Sequence, residues 1–539
     1  MRFSTLTSLA AGLLLPSLAS AASITDEYQD ADVAQSGYLP YHNIDPSKLS
    51  SYVMSWTMTF NANEQFLAKP ITYTPNGYSH ELVIVVSEQN IVRVLDGPTG
   101  TLLYSRTLDP PFSAADSNCG DVSPLVGITG TPIIDPATDV MYFFSKGYKN
   151  AAATGSGTIN GQYKVYAVKI PNLTDMPGFP TILDGNYANN DPTRYFVGGV
   201  VLQRPGLAMI GNSIVAGFGG HCDNFNYTGL LVTVSKTSGA VTNMQAMVAS
   251  PGAPSPQPTS IMQQTGGKAG IWQSGQGLAV SGNNVFFATG NGVGPGINKV
   301  QGTPASGKKY ISTLEQVAAN FYVDPVTGNL TQADYFEPYN FDTQLNGGDR
   351  DIGSSGVALL DRNTFKAPGV GVNGMAVIAG KNGVIYTLNA DNLGGFYNGV
   401  PGPDASLQQI AISSASFFGG VGSYPLEGGY LYFCPSGGTN GGILYAYKFG
   451  LDANGNPVFT QAGTGGSGFA CNSNPTVTSF NGQPGTGVVW LADVNNGLVA
   501  FKAVPVNGQL VPIPLGMTTG RLNKFQRPAF GNARIYTTE

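Results

Sequence analysis

The chain has 539 residues, of which 11% are charged and 42% hydrophobic, and its net charge is −6. An average domain carries roughly 25% charged residues. A chain this acidic and this poor in Lys and Arg is not built to hold nucleic acid, and one this rich in apolar residues is not disordered. Its 73 glycines, about twice the usual share, fit a β-rich protein with many turns.

The first residues read as a targeting segment. Met1-Arg2 is a basic start, an apolar run follows from Leu9 to Leu18, and Ala19-Ser20-Ala21 is a small-residue cleavage site. Residues 1–21 are therefore expected to be a secretory signal peptide, and the protein to be extracellular or associated with a cell wall. Residues 22–50 are taken as an N-terminal extension and 51–539 as one domain. No later stretch approaches the ~18 uninterrupted apolar residues of a membrane span.

Secretion gives two further sets of residues a meaning. Cys119, Cys222, Cys434 and Cys471 are an even count for an oxidising compartment. Three pairings are open, and Cys119–Cys222 with Cys434–Cys471 is preferred because the second pair falls in successive repeats. None has the C-x-x-C spacing of a zinc or redox site. Asn172, Asn226 and Asn329 each head an N-x-Thr sequon and are candidate glycan sites.

One strand pattern then recurs along the chain. It is an alternating or β-branched run containing Tyr or Phe and then a turn: 90–100, 164–169, 230–239, 319–328, 383–388, 442–447 and 497–501. Three copies end in a turn closed by glycine, at Gly100, Gly239 and Gly328. A second pattern, short and containing Pro or small residues, precedes each copy. It starts at Lys69, Thr131, Arg204, Gln276, Ser355, Ser423, Asn474 and Arg527, which makes eight. Four strands per repeat around a shared centre describe a β-propeller blade, with the small-residue strand innermost.

The last repeat begins at Gln526 and holds two strands before Glu539. Residues 51–60 form a strand pattern with no repeat of its own. The expectation is that 51–60 completes the last blade and closes the ring, giving eight blades, with seven as the alternative. The stop inside a blade also leads us to expect that the natural chain continues past Glu539. Gly/Pro/Asn-rich insertions at 151–161, 184–200, 250–268, 292–309 and 339–349 are expected to build a binding rim.

The repeats resemble the quinoprotein-type (PQQ-like) β-propellers, in particular secreted fungal and bacterial proteins with such repeats. The resemblance rests on Gly127-Ile-Thr-Gly-Thr-Pro-Ile-Ile-Asp-Pro136, Gly270-Ile-Trp-Gln-Ser-Gly-Gln-Gly277, Phe287-Ala-Thr-Gly-Asn-Gly292, Asp334-Tyr-Phe-Glu-Pro-Tyr-Asn340 and Asp351-Ile-Gly-Ser-Ser-Gly356. It implies an all-β propeller of the quinoprotein alcohol dehydrogenase type. It also implies PQQ and calcium as the cofactors of any dehydrogenase activity. The chain departs from those enzymes in having only Trp56, Trp272 and Trp490, no adjacent cysteines and no C-x-x-C-H haem motif.

Three groups of residues are candidates for chemistry. Lys69, Arg204, Gln276, Asn474 and Arg527 head innermost strands, so they should converge near the axis. Their cations would hold an anion such as a uronate or a carboxylated quinone. Alternatively, they bond carbonyls left exposed between blades. His221, after Gly219-Gly220 and before Cys222, is the acid/base candidate. Asp349 and Asp351 are a candidate calcium pair, or form an internal ion pair with Arg350.

The expected function is thus a monomeric extracellular propeller that binds a glycan, wall polymer or small anionic ligand without a recognisable catalytic set. A PQQ- and calcium-dependent sugar or alcohol dehydrogenase is the first alternative. A polysaccharide lyase or hydrolase using His221 or a rim carboxylate pair is the second.

Overall fold

The computed structural model describes residues 25–248, 266–292, 313–396, 404–437 and 442–539. Within them the repeated patterns pair in chain order into seven sheets: six have four or five antiparallel strands, and the seventh has three, to which Tyr38–Leu39 adds in parallel. They span 71–107, 133–182, 201–246, 279–336, 358–411, 422–469 and 476–502, here called blades 1 to 7. Innermost strands are two or three residues long, as in Ile71–Tyr73, Ile133–Asp135 and Thr476–Thr478. Crowding at the axis explains both their length and their Gly, Ala and Pro content.

The recurrent turn works as its residues demand. Asp96 accepts from Thr99 N at 3.0 Å, and Gly100 N returns to Asp96 O at 2.8 Å with Gly100 at φ +70°. Asp324 with Gly328, at φ +76°, repeats the arrangement. A side chain at the closing position would meet left-handed backbone, which non-glycine residues avoid.

Each blade is twisted and buried on both faces, so the core is a set of layers between blades. Ile84 and Val94 of blade 1 pack with Met141 and Phe143 of blade 2. Leu431 and Phe433 of blade 6 pack with Val377 and Ile385 of blade 5. Between blade 7 and the chain's last hairpin, Trp490 lies 5.4 Å from Phe530 and donates its indole N–H to Thr478 Oγ1.

The expected count of eight blades is corrected to seven complete ones. At the eighth place stands only the hairpin Ala529–Phe530 with Ile535–Tyr536. Residues 52–60 do lie beside it, with Trp56 5.8 Å from Tyr536 and its Nε1 donating to Gly97 O at 2.8 Å. Among the described residues they pair with no strand, and Val53 is 75% exposed. The alternation was legible; the ladder partner that would make it a strand is missing.

The N-terminal extension is part of the propeller's centre rather than a separate arm. From Glu27 to Leu39 it passes the innermost strands in turn. Backbone bonds join Glu27 to Thr72 of blade 1, Tyr28 O to Ile134 N of blade 2, Val33 O to Val280 N of blade 4 and Ala34 O to Leu359 N of blade 5. Ser36 O then accepts from Ser423 N of blade 6, and Tyr38–Leu39 pairs in parallel with Thr476–Thr478 of blade 7. Exposed edges at the axis thereby find partners.

The preferred disulfides, Cys119–Cys222 and Cys434–Cys471, are both formed. Asn172 and Asn329 are exposed, but Asn226 is 5% exposed, which corrects its reading as a surface glycan site. The rim insertions expected at 250–268 and 292–309 lie almost wholly outside the described residues, as do residues 1–24. No helix among the described residues is long and apolar enough to cross a membrane.

Candidate functional site

The residues heading the innermost strands meet at one end of the axis, but at two depths. The deeper layer holds the five residues expected from sequence. Lys69 is not available there for a ligand. Its ammonium pairs with the buried Glu27 carboxylate of the N-terminal strap and donates to Gln29 O at 3.2 Å. Glu27 also faces His42 Nε2 at 3.3 Å and accepts from Phe530 N at 2.7 Å. Burial pushes the Glu27 carboxyl up, but Lys69 and His42 outweigh it and hold it below its ordinary value.

The other four are partly bonded and partly open. Arg204 bridges blades, donating from Nη1 to Leu67 O at 3.2 Å and Thr129 O at 2.9 Å. Arg527 donates to Pro475 O at 2.9 Å and lies 3.6 Å from Asp30 of the strap. Gln276 Oε1 accepts from Gly356 N at 2.9 Å, and Asn474 Oδ1 accepts from Gly420 N. Carbonyl bonding between blades therefore accounts for half of this layer. Arg204 Nη2, Arg527 Nη2, Gln276 Nε2 and Asn474 Nδ2 are buried with no protein acceptor. Such donors are expected to be met by water or a ligand. Burial lowers the Arg204 guanidinium to about 10.

Above this layer three aromatic side chains close the mouth. Phe525 lies 6.3 Å from Trp272, edge to face, and 6.5 Å from Phe418, stacked. Arg204 stands 5.8 Å from the Phe525 ring, and Phe525 N donates to Asn472 O at 2.6 Å. Phe525 thus reaches the heads of blades 3, 4 and 6 with its ring and of blade 7 with its backbone, which places it near the axis. All three residues are half-buried. Lys524 lies 5.3 Å from Phe525 and Lys381 5.4 Å from Trp272, at cation–π range.

Asp349 and Asp351 border this platform through Lys381. The ammonium contacts Asp351 at 2.8 Å and Asp349 at 3.2 Å, and Asp351 also accepts from Asn291 N at 2.6 Å. Burial works against the Lys381 charge, but Asp351 and then Asp349 raise its pKa. The internal ion pair expected from sequence exists, with Lys381 in place of Arg350.

His221 is elsewhere and differently employed. It is 2% exposed, 6.2 Å from the Phe112 ring, and its Nε2 lies 2.6 Å from Lys146 Nζ. Burial lowers both groups well below their ordinary values, and for His221 the nearby Lys146 adds to it. The acid/base role expected of His221 is corrected: its ring is buried against Lys146 and Phe112 rather than presented at a mouth.

Trp272, Phe418, Phe525 and Lys381 were not picked out as site residues by their spacing. A signal existed. Each aromatic precedes an innermost strand by a few residues, the same place that singled out the arginines.

No family model matches this chain, and no curated protein matches it. Solved structures do. The quinohemoprotein alcohol dehydrogenase from Comamonas testosteroni superposes with a TM-score of 0.60 at 13% identity, covering 94% of this chain and 74% of that one. A europium-containing methanol dehydrogenase gives 0.57 at 11% identity, covering 93% and 86%. A quinohemoprotein alcohol dehydrogenase from Pseudomonas putida HK5 gives 0.54 at 11% identity, covering 91% and 72%. The likeness is one of fold. This chain shares the β-propeller fold of those proteins, and at these identities its chemistry rests on its own mouth.

Proposed function

We propose that the protein is an extracellular ligand-binding propeller whose axial mouth takes a ring-shaped molecule carrying a carboxylate. The observation that carries this is the half-buried Trp272–Phe525–Phe418 cluster with Arg204, Lys381 and Lys524 against its rings. Aromatic faces take another ring through dispersion and apolar contact. The cations supply charge-assisted partners for a carboxylate. A uronate sugar of a wall glycan and a carboxylated quinone share that chemistry. Two disulfides and the exposed sequons at Asn172 and Asn329 fit an extracellular site of action.

The test is a calorimetric titration with trigalacturonate, PQQ and neutral cellotriose. Trigalacturonate or PQQ should bind, and cellotriose should bind at least tenfold more weakly. Trp272→Leu and Lys524→Glu should each weaken binding by about tenfold, the equivalent of about 1.4 kcal/mol. Equal binding of all three probes, or unchanged affinity in both variants, would reject the mouth as the site.

A second reading, quinone-dependent oxidation of a sugar or alcohol, is favoured by the fold likeness to the dehydrogenases. Its quinone would fit the same platform. The calcium fits less well, because Asp349 and Asp351 already close around Lys381, and Asp223 around Tyr227 and Lys268. No open pair of carboxylates faces the platform among these residues, so no redox step is derived. Dye reduction with a sugar and alcohol panel after loading with PQQ and calcium decides between the readings. Turnover establishes the oxidoreductase; its absence with PQQ bound leaves a binding protein.

A further inference from the structure

Four arginines are buried among the described residues, and three of them face a carboxylate. Arg93 meets Glu64 at 2.6 Å, Arg194 meets Asp191 at 3.6 Å and Arg527 meets Asp30 at 3.6 Å. Arg204 is the exception. It is 4% exposed, no carboxylate stands within 4.0 Å of its nitrogens among the described residues, and its Nη2 has no protein acceptor. A guanidinium cannot shed its charge as a buried lysine can. A charge held out of water without a partner is costly.

Phe525 covers this cation. Its ring centre lies 5.8 Å from the Arg204 guanidinium carbon, a contact that offsets part of the cost. Three features mark the ring as loosely placed. Phe525 has φ +68°, in the left-handed region that bulky residues avoid. The ring stands 6.3 Å from Trp272 and 6.5 Å from Phe418, at the long end of aromatic contact, whereas Phe196 and Phe218 in the core meet at 4.9 Å. Residues 521–525 belong to no helix or strand, and the backbone of Phe525 makes one hydrogen bond, from its N–H to Asn472 O. Close by, Gly275 lets the two residues approach. A Cβ there would lie 2.8 Å from Arg204 Nη1 and 3.2 Å from Phe525 O. The next residue, Gln276, is buried too, and its Nε2 also has no protein acceptor.

We propose that Phe525 is a displaceable plug and that Arg204 beneath it reads the ligand's carboxylate. The ligand's ring takes the place of the Phe525 ring beside Trp272 and Phe418. Its carboxylate descends to accept hydrogen bonds from Arg204 Nη2 and Gln276 Nε2. Turning Phe525 out relieves a strained backbone, and a charge-assisted pair replaces the cation–π contact. Lys381 and Lys524 draw the acid to the mouth, and Arg204 selects it. The proposal rests on the reading that the mouth takes a ring bearing a carboxylate. It adds which residue recognises the acid and which one must move.

The test is stopped-flow and calorimetric binding of trigalacturonate and of PQQ to the full chain and to two variants. Phe525→Gly suits the left-handed backbone and removes the plug. Association should quicken by about tenfold or more while Kd stays within about threefold. Arg204→Gln should weaken binding by about a hundredfold, as loss of a buried charged partner does. Methyl-esterified trigalacturonate keeps the rings without the charge, and it should bind the native protein about a hundredfold more weakly as well. If Arg204→Gln does not fold, the Phe525 variant and the ester decide. An unchanged association rate with about tenfold weaker binding in Phe525→Gly would make Phe525 a fixed platform and overturn the proposal. Full affinity in Arg204→Gln, or for the ester, would overturn it too. In those cases the acid still binds the native protein and the reading of the mouth stands. If neither acid binds the native protein, that reading fails and the plug falls with it.

Discussion

Two buried pairs owe their pH response to different causes, one at the axis and one away from it. Lys69 and Glu27 are a buried pair in which each needs the other. Breaking such a pair leaves an uncompensated buried charge, which costs about 3–5 kcal/mol. Lys69→Met should therefore lower unfolding free energy by about that amount, and Lys69→Met with Glu27→Gln should recover part of it, both read from urea melts. Because Lys69 and His42 depress the Glu27 pKa, its contribution is present above pH 4.5 and is lost as pH falls through the lower folded value.

His221 and Lys146 behave in the reverse sense. Both are bases buried in contact, and burial depresses them. A depressed base contributes stability above its unfolded pKa and loses it as pH falls. For His221 the loss begins near pH 6.5 and approaches about 1.4 kcal/mol per pH unit. His221→Phe should flatten the stability–pH curve just below pH 6.5, whatever its effect on absolute stability. An unaltered slope would mean that the His221 ring is solvated.

At the scale of elements, the innermost strands were legible because Pro, Gly and Ala crowd where blades converge. The turns were legible because Asp or Ser with a closing Gly is a local device. The strap was not. Thr25–Leu39 has no apolar period; its order comes from single backbone bonds to strands hundreds of residues away. One position exposes its dependence on fit. Gly37 has φ +73°, and a Cβ there would lie 2.9 Å from Val421 O. Gly37→Ala should cost at least about 1–2 kcal/mol from the left-handed backbone alone, seen as a lower urea midpoint with an unchanged slope. A fall below a few tenths of that would mean that the strap detaches freely. The mouth was half legible: cations were visible beside Pro in the strand heads, whereas Trp272, Phe418 and Phe525 sit in separate loops and meet only through ring closure.

The whole molecule couples these parts. Seven blades and a two-stranded remnant are joined at the centre by a strap that touches most of the innermost strands. The Cys119–Cys222 disulfide closes a loop of 103 residues that takes in blade 2 and the first half of blade 3. On the chain-entropy account a cross-link of that span contributes about 4.7 kcal/mol, so paired Cys119→Ser and Cys222→Ser should lower Tm without changing far-UV signal at 25 °C. Solved alcohol and methanol dehydrogenases share the fold, but their identity to this chain is 11–13%. What this chain presents at its axis is its own: an aromatic platform, three cations, and a buried layer of unpartnered donors below.

The central claim is that a ring-bearing carboxylate sits on that platform. Its most direct test is a crystal structure of the protein grown with trigalacturonate or with PQQ. The expected density places the ligand's ring within van der Waals contact, about 4 Å, of Trp272 or Phe525, with a carboxylate oxygen bonded to Arg204, Lys381 or Lys524. Ligand density bound at the outer faces of the blades, with the Phe525 and Trp272 rings bare, would contradict it.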